Sequence, residues 1–421
     1  MIFENQNFVK DLAYLISCKS VKSTNENAPF GEENKKALLY FLELAKKFGF
    51  ETINYDNYFG EVIVGSGEEF GIIGHLDVVP EGTGWDTDPY TLTVKDGKAF
   101  GRGIADDKAP ILSCLYALKE LKDKGFTFNK KIRLFVGCNE ESGWKDVEYF
   151  KTKSKFPDYG FSPDGDFPVV FSEKGINRIY FSIPKLKNYT FNKSGTVINA
   201  VCAYASMTAK GEVNKDLIKK HGLKLNGNLI ESFGKTAHGS KPELGKNAIK
   251  PLFDYLLDAK EDVKNIVDYI FNDKLGLSKI GDDTGFTTLS ANLIEEREDD
   301  ILISVDFRIP ATKVLEDFIP LIEKFGIKFD AVLSRKPLFV PKTEKIVQDL
   351  VRAYNEVLGV NENPIPQSGG TFASVFKRGC AFGPEFPNKN NQIHEPNEFM
   401  EIEDINKMYE IYLKAIENIV K

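Results

Sequence analysis

The stretch that most restricts how this chain can fold is Phe70-Gly71-Ile72-Ile73-Gly74-His75-Leu76-Asp77. Phe70 to Ile73 is a short apolar run, the pattern of a buried strand. A strand hidden on both faces belongs in a sheet with helices over it. This one ends on a histidine, with an aspartate two residues further on. A neutral imidazole is a common metal ligand, and a carboxylate behind it can fix its tautomer.

The residues around it repeat the strand-and-helix pattern. Leu38, Phe41, Leu42, Ala45 and Phe48 stand at helical spacing over residues 34–48, and Gly49 follows as a stop. The next strand is expected near Glu61 to Val64. Thr91 to Val94 and Lys98 to Phe100 flank Asp96-Gly97, a hairpin signal. After Gly101-Arg102-Gly103-Ile104-Ala105-Asp106-Asp107-Lys108, Pro110 suits the first turn of a helix striped by Ile111, Leu115, Leu118 and Leu121. Lys131 to Val136 is a strand leading into Gly137-Cys138-Asn139-Glu140-Glu141-Ser142-Gly143. Ser162-Pro163-Asp164-Gly165-Asp166 precedes the apolar run Phe167 to Phe171. This alternation specifies an α/β sheet, in which ligands collect beyond the carboxyl ends of strands. His75 and Glu140-Glu141 both fall just past such ends.

From about Asn177 to Leu333 the texture changes. Strands are expected at Arg178 to Ile183, Ile301 to Phe307 and Ile327 to Val332, with helices at Ala248 to Leu257 and Val314 to Phe325. Ile301, Ile303, Val305 and Phe307 alternate with Ser304 and Asp306, as in a half-exposed strand. Helices resume at Glu344 to Leu358 and Asp404 to Val420. The expected organisation is a first domain over 1–176, an inserted α+β domain over 177–335, and the return of the first domain over 336–421.

Composition narrows the function. With 421 residues, two domains are the default. A net charge of −7 argues against a nucleic-acid partner, which calls for a basic face. No apolar run reaches the roughly 18 residues of a membrane span, and Met1-Ile2-Phe3-Glu4-Asn5 lacks the basic start of a signal peptide. A cytoplasmic protein with no membrane partner is expected. The five cysteines are scattered and odd in number, which fits reduced thiols, with Cys138 a buried structural one. His221 carries no motif and is expected at the surface. Glu295 to Asp300 is expected to be a solvated turn.

Taken singly, the polar motifs have ordinary explanations. Asp106-Asp107 would suit a helix N-terminus, Pro163-Asp164-Gly165 a turn, and His394 a surface loop. Their order says more. His75-Leu76-Asp77, Gly101-Arg102-Gly103 with Asp106-Asp107-Lys108, Glu140-Glu141-Ser142-Gly143, Ser162-Pro163-Asp164 and His394-Glu395-Pro396-Asn397 resemble the motif set of one family. That family is the co-catalytic zinc peptidases, which include carboxypeptidase G, aminoacylase-1 and carnosinase. The wording is closest to its peptidase V-type dipeptidases.

The resemblance implies a zinc-aminopeptidase-like, three-layer α/β/α catalytic domain with an inserted α+β lid. It implies two zinc ions per subunit, with manganese or cobalt as alternatives. His75 and Asp164 would hold one ion, Glu141 and His394 the other, and Asp106 would bridge them. Glu140 would be the general base for a shared water, and Asp77 would orient His75. Two such ions lower the pKa of a shared water and clamp both oxygens of a tetrahedral intermediate. The resemblance also implies a cis peptide between Asp106 and Asp107.

In the lid, His238 matches an oxyanion donor, Arg308 a binder of the substrate's terminal carboxylate, and Asn199 a further substrate contact. Gly369-Gly370-Thr371 resembles a pocket-lining loop whose N–H groups suit a carboxylate. The chain departs from the pattern at Asn199-Ala200-Val201-Cys202, which lacks the usual valine-proline, and at Ser240. The expected substrate is a small peptide, broadly or of Xaa-His type, and the long lid favours a monomer over a dimer. Open alternatives are an aminoacylase or deacetylase, a carboxypeptidase, or a catalytically silent binding protein on the same fold.

Overall fold

The structure, a computed structural model, describes every residue except Glu26 and Lys193. It divides into two compact units. The first joins Met1–Ser172, Phe339–Pro366 and Thr371–Lys421; the second joins Glu173–Leu338 and Gln367–Gly370.

The first unit is built on a mixed nine-stranded sheet. Its centre is the Glu68–His75 strand, which lies parallel to Lys130–Gly137 on one side and to Tyr159–Ser162 on the other. Arg378–Ala381 continues the parallel run beside Tyr159–Ser162. Phe59–Val64 and Glu51–Tyr55 extend the opposite edge antiparallel.

Residues 70 to 75 are buried without a break, which fits their apolar run. On one face Phe59, Ile73 and Phe135 pack with Val147 and Phe150 of the Lys145–Lys153 helix. The Glu32–Lys47 helix covers the opposite face, where Leu38 and Leu42 lie over Gly60. The Lys108–Asp123 helix is buried nearly all round and packs against the Ile402–Val420 helix. Each Leu or Ile it hides contributes about 1.5–3 kcal/mol. The result is the α/β arrangement with helices on both faces that the alternation implied.

The second unit is α+β. An antiparallel sheet runs in the order Thr288–Glu296, Asp300–Ile309, Gly175–Pro184, Lys328–Arg335. A second sheet orders Tyr189–Phe191, Tyr204–Ala209, Leu229–Phe233 and Lys224–Asn226. The Ile249–Asp258 helix packs against the Tyr204–Ala209 and Leu229–Phe233 strands and buries Leu252, Phe253, Tyr255 and Leu256 in a common core with Ile303, Val305 and Phe307.

Several details differ from the sequence expectation. Val314 to Phe325 is not one helix. It breaks into Leu315–Asp317, a single turn Ile319–Ile322, and Glu323–Phe325. Pro320 lacks an N–H, and its ring opposes the carbonyl of Glu316, so a continuous helix cannot pass. The Asp300–Ile309 strand is not half-exposed, because Ser304 and Asp306 are buried too. It is an inner strand of its sheet, and its Asp306 carboxylate accepts from the Arg308 guanidinium. His221 is not a free surface residue: its Nε2 lies 2.8 Å from Asp258 Oδ2. The Gln6–Ser17 helix and the Glu51–Tyr55 strand were not anticipated. Cys138 is fully buried, which pushes its thiol well up. Among the described residues no helix is long and apolar enough to cross a membrane.

Candidate metal centre

The sheet delivers three of the expected ligands to one edge. His75 is the last residue of its strand, Glu140 and Glu141 follow Lys130–Gly137, and Asp164 follows Tyr159–Ser162. Because these strands are parallel neighbours, their carboxyl ends lie together. Asp106 arrives on the loop before the Lys108–Asp123 helix. His394 arrives on the loop before Phe399–Glu401, a strand that pairs with Lys98–Phe100.

Asp106 stands at the middle. Its Oδ1 lies 2.8 Å from His75 Nε2 and its Oδ2 2.9 Å from His394 Nε2. Asp164 Oδ2 is 3.8 Å from His75 Nε2, and Glu141 Oε1 is 2.9 Å from His394 Nε2. Two clusters result, His75-Asp106-Asp164 and Asp106-Glu141-His394, each with its ligand atoms within 4.8 Å of one another. Either could hold a cation, and they share one carboxylate.

The electrostatics fit that use. Burial, then the charge of Asp106, lifts the Asp164 carboxyl well above the usual range. The same two causes push Glu141 up to about 7. Burial opposes ionisation of Asp106 as well, but hydrogen bonds from His394 and His75 hold its carboxyl below the usual range. Burial disfavours a charged His75, yet Asp106 and Asp77 raise its pKa well above the ordinary value. His394 behaves alike, raised by Glu141 and Asp106. Three carboxylates this close and this dry call for positive charge, which divalent cations would supply.

The two clusters are braced by backbone. His75 Nδ1 lies 3.0 Å from the carbonyl oxygen of Asp77, whereas the Asp77 carboxylate is 3.5 Å away. That carboxylate instead accepts the N–H groups of Glu140 and Glu141, each at 3.1 Å. Asp77 thus holds the ring through its main chain and the glutamate pair through its side chain. The Asp106–Asp107 peptide is cis, as the resemblance implied. Asp107 Oδ2 accepts the His75 N–H at 3.1 Å and lies where a Cβ on Gly74 would fall, at 2.1 Å. Only glycine permits that approach.

One residue escaped the sequence reading. Glu398, wholly buried, accepts Arg102 Nη1 at 2.7 Å and the N–H groups of Gly103, Ala105 and Asp106 at 3.1, 3.0 and 3.3 Å. It ties the loop that carries His394 to the loop that carries Asp106. Its place four residues after His394 was the only available signal. Replacing it, as in Glu398→Gln, leaves the buried Arg102 guanidinium uncompensated. Urea unfolding should then show a loss of about 3–5 kcal/mol; a loss below about 1 kcal/mol, the size of a surface ion pair, would contradict this role.

With the geometry in place, comparison with known proteins is direct. The sequence pattern described as "Peptidase family M20/M25/M40" matches residues 71–418. The chain belongs to peptidase family M20/M25/M40. It is 30% identical to the putative dipeptidase YtjP of Bacillus subtilis, over 100% of this chain and 99% of that one. It is 31% identical to the Beta-Ala-Xaa dipeptidase of Lactobacillus delbrueckii subsp. lactis, over 98% and 96%. Its fold is shared with the metallo-carboxypeptidase Sso-CP2 of Sulfolobus solfataricus, with a TM-score of 0.63 at 16% identity over 98% of this chain and 99% of that one.

In this M20/M25/M40 peptidase the remaining expected residues lie chiefly in the second unit. Arg308 is buried; its Nε and Nη2 donate to Asp306, and its Nη1 donates to the carbonyl of Ser368 at 3.1 Å. Asp306 Oδ2 lies against Gly239, where a Cβ would fall at 2.1 Å, and Gly239 donates its N–H to the carbonyl of Asn199 at 2.7 Å. His238 precedes Gly239 and is exposed, with Nδ1 2.7 Å from Ser240 Oγ. Asn199, His238 and Arg308 therefore share one neighbourhood, with Asp306 and Gly239 between them. Gly369 and Gly370 lie beside Arg308 on the Gln367–Gly370 segment, where Arg335 donates to the Gly370 carbonyl. Thr371 belongs to the first unit, buried, and its hydroxyl caps Phe372–Val375 by accepting the N–H of Ala373 at 3.1 Å.

Proposed function

We propose that this peptidase hydrolyses dipeptides with the aid of two divalent cations, zinc being the best match. The observation that carries the reading is Asp106, whose two oxygens face two histidines, each histidine with a second carboxylate beside it. His75 and Asp164 would hold one cation, Glu141 and His394 the other, with Asp106 shared. One imidazole and one carboxylate per ion, plus a shared carboxylate and a water, is a four-coordinate set suited to zinc; manganese or cobalt would also accept it. Such a pair would supply an acidified water and a Lewis-acid grip on the scissile carbonyl.

The chain's own groups do the rest. Glu140 belongs to neither ligand cluster and sits buried next to Glu141. It takes the proton as water oxygen bonds to the carbonyl carbon, and returns it to the amine nitrogen as the C–N bond breaks. His238 donates to the carbonyl oxygen as charge gathers there, with Asn199 beside it. Arg308 binds the substrate's C-terminal carboxylate: three of the five guanidinium N–H donors are spent on Asp306 and Ser368, leaving others for that bond. The N–H groups of the Gly369-Gly370-Thr371 segment suit the same carboxylate. The dipeptidase names of the two relatives support this choice over an aminoacylase or a carboxypeptidase.

Elemental analysis and a substrate panel test the reading together. Two equivalents of metal and turnover of dipeptides, but not of N-acetyl amino acids, are expected. Turnover confined to N-acetyl amino acids would replace the dipeptidase reading with the aminoacylase one. Arg308→Ala should raise KM at least about ten-fold for free dipeptides, the worth of a charged hydrogen bond. C-terminally amidated dipeptides should change little; an equal rise for both would remove the carboxylate role.

A further inference from the structure

We propose that Trp144 is a positioning residue for Glu140, its indole N–H holding one carboxylate oxygen and so fixing the orientation of the group. This rests on Glu140 acting as the proton carrier. Trp144 Nε1 donates to Glu140 Oε1 at 3.2 Å. Indole nitrogen is a donor only, so it can hold a carboxylate oxygen but cannot compete for the proton that Glu140 moves. A carboxylate fixed at one oxygen loses its free rotation, which is the ordering that proton transfer to a fixed reaction partner requires.

Trp144 is itself held, at its backbone and at its ring. Trp144 N donates to the carbonyl of Asn139 at 2.9 Å, closing the loop that contains Glu140, and Lys145 N donates to Asn139 Oδ1 at 3.1 Å. Trp144 adopts φ 62°, a left-handed conformation that a bulky residue keeps only where its surroundings hold it. Its ring packs against Phe372, with centroids 5.0 Å apart at 61°. Phe372 is fully buried and stands edge-on to the His75 imidazole, 6.2 Å away at 90°. It is anchored in the aromatic cluster with Phe59, Phe135, Phe150 and Phe376. One rigid aromatic wall therefore references both the His75 ligand and, through Trp144, the Glu140 carboxylate. The backbone of Glu140 is pinned separately by Asp77. Trp144 governs the side chain.

The test replaces Trp144 in the metal-loaded full chain by 3-benzothienylalanine, which keeps the bicyclic shape and puts sulfur where the N–H was, alongside Trp144→Phe. Expected are a fall in kcat of about ten-fold, the worth of one hydrogen bond to a charged group, KM within about two-fold, and unchanged metal content. In a Glu140→Ala background the same replacement should not lower the residual rate further, because its target is gone. Wild-type kcat in the benzothienylalanine protein overturns the proposal. So does a change confined to KM, which would make Trp144 a substrate contact, or loss of metal, which would place its effect on the ligands. If Glu140→Ala itself retains wild-type kcat, the reading of Glu140 fails first, and the two failures are distinguished.

Discussion

Glu140→Ala is expected to retain both cations and lose turnover by about 10²- to 10⁴-fold, the range that a general acid–base group contributes. The two halves of that expectation have separate causes. Metal is retained because Glu140 is in neither ligand cluster, and the Glu141 backbone keeps its own bond to Asp77. Turnover is lost because amide hydrolysis must deliver a proton to a poor leaving amine, and no other carboxylate near the water is free of ligand duty in this reading. Glu140→Asp sharpens the test. It keeps the carboxyl but withdraws it by one methylene from the indole of Trp144, so its rate should fall between wild type and alanine. Single-turnover assays with metal counted in the same sample decide the matter. A Glu140→Ala protein with two metals and wild-type kcat would remove Glu140 from the chemistry.

How much of this was legible beforehand depends on how far apart the interacting residues lie in the chain. His75, Asp106, Glu141, Asp164 and His394 could be read as a set because each sits in a compact motif at a strand or helix end, where α/β sheets collect ligands. The structure brings those five side chains together. Glu398 could not be read in the same way. Its partners lie more than 290 positions away and are mostly backbone N–H groups, which leave no mark on residue type. Asp77 was expected behind His75, but whether its carbonyl or its carboxylate meets the ring depends on local torsions.

The Glu51–Tyr55 strand was missed because Glu51, Thr52 and Asn54 are polar and it lies at the sheet edge. The apolar spacing over Val314 to Phe325 suggested a helix, and Pro320 overrode it. Ser304 and Asp306 looked like a solvent face, yet Asp306 is buried against Arg308 and Gly239. Polar residues at alternating positions mark a second face. They do not say whether water or another polar group covers it.

Stripped of metal, the protein should be more stable at pH 5 than at pH 8, and saturating divalent cation should reverse that order. Burial pushes Glu141 up to about 7 and lifts Asp164 and Asp107 well above the carboxylate range. Asp146 and Glu385 are also pushed up to about 7, chiefly by burial. In the unfolded chain such groups release their protons near pH 4. Between about pH 4 and 7 the folded state holds protons that the unfolded state has lost, so stability falls as pH rises. His75 and His394 act in the same direction. Their folded pKa values are raised, so their contribution is present below about pH 6.5, the unfolded value, and is lost as pH climbs through the folded ones.

Asp106 is depressed, and its contribution is lost only as pH drops below about 4, outside this window. The melting temperature of chelator-treated protein should therefore drop by on the order of 5 °C from pH 5 to pH 8. Cations bind only deprotonated carboxylate and neutral imidazole. They compete with the protons that the empty site holds, and they stabilise the fold more as pH rises. Scanning fluorimetry across that range, with and without added zinc, separates the two curves. A metal-free melting temperature that is flat or rising, and unmoved by zinc at pH 8, would mean that these carboxylates are not gathered around a cation site at all.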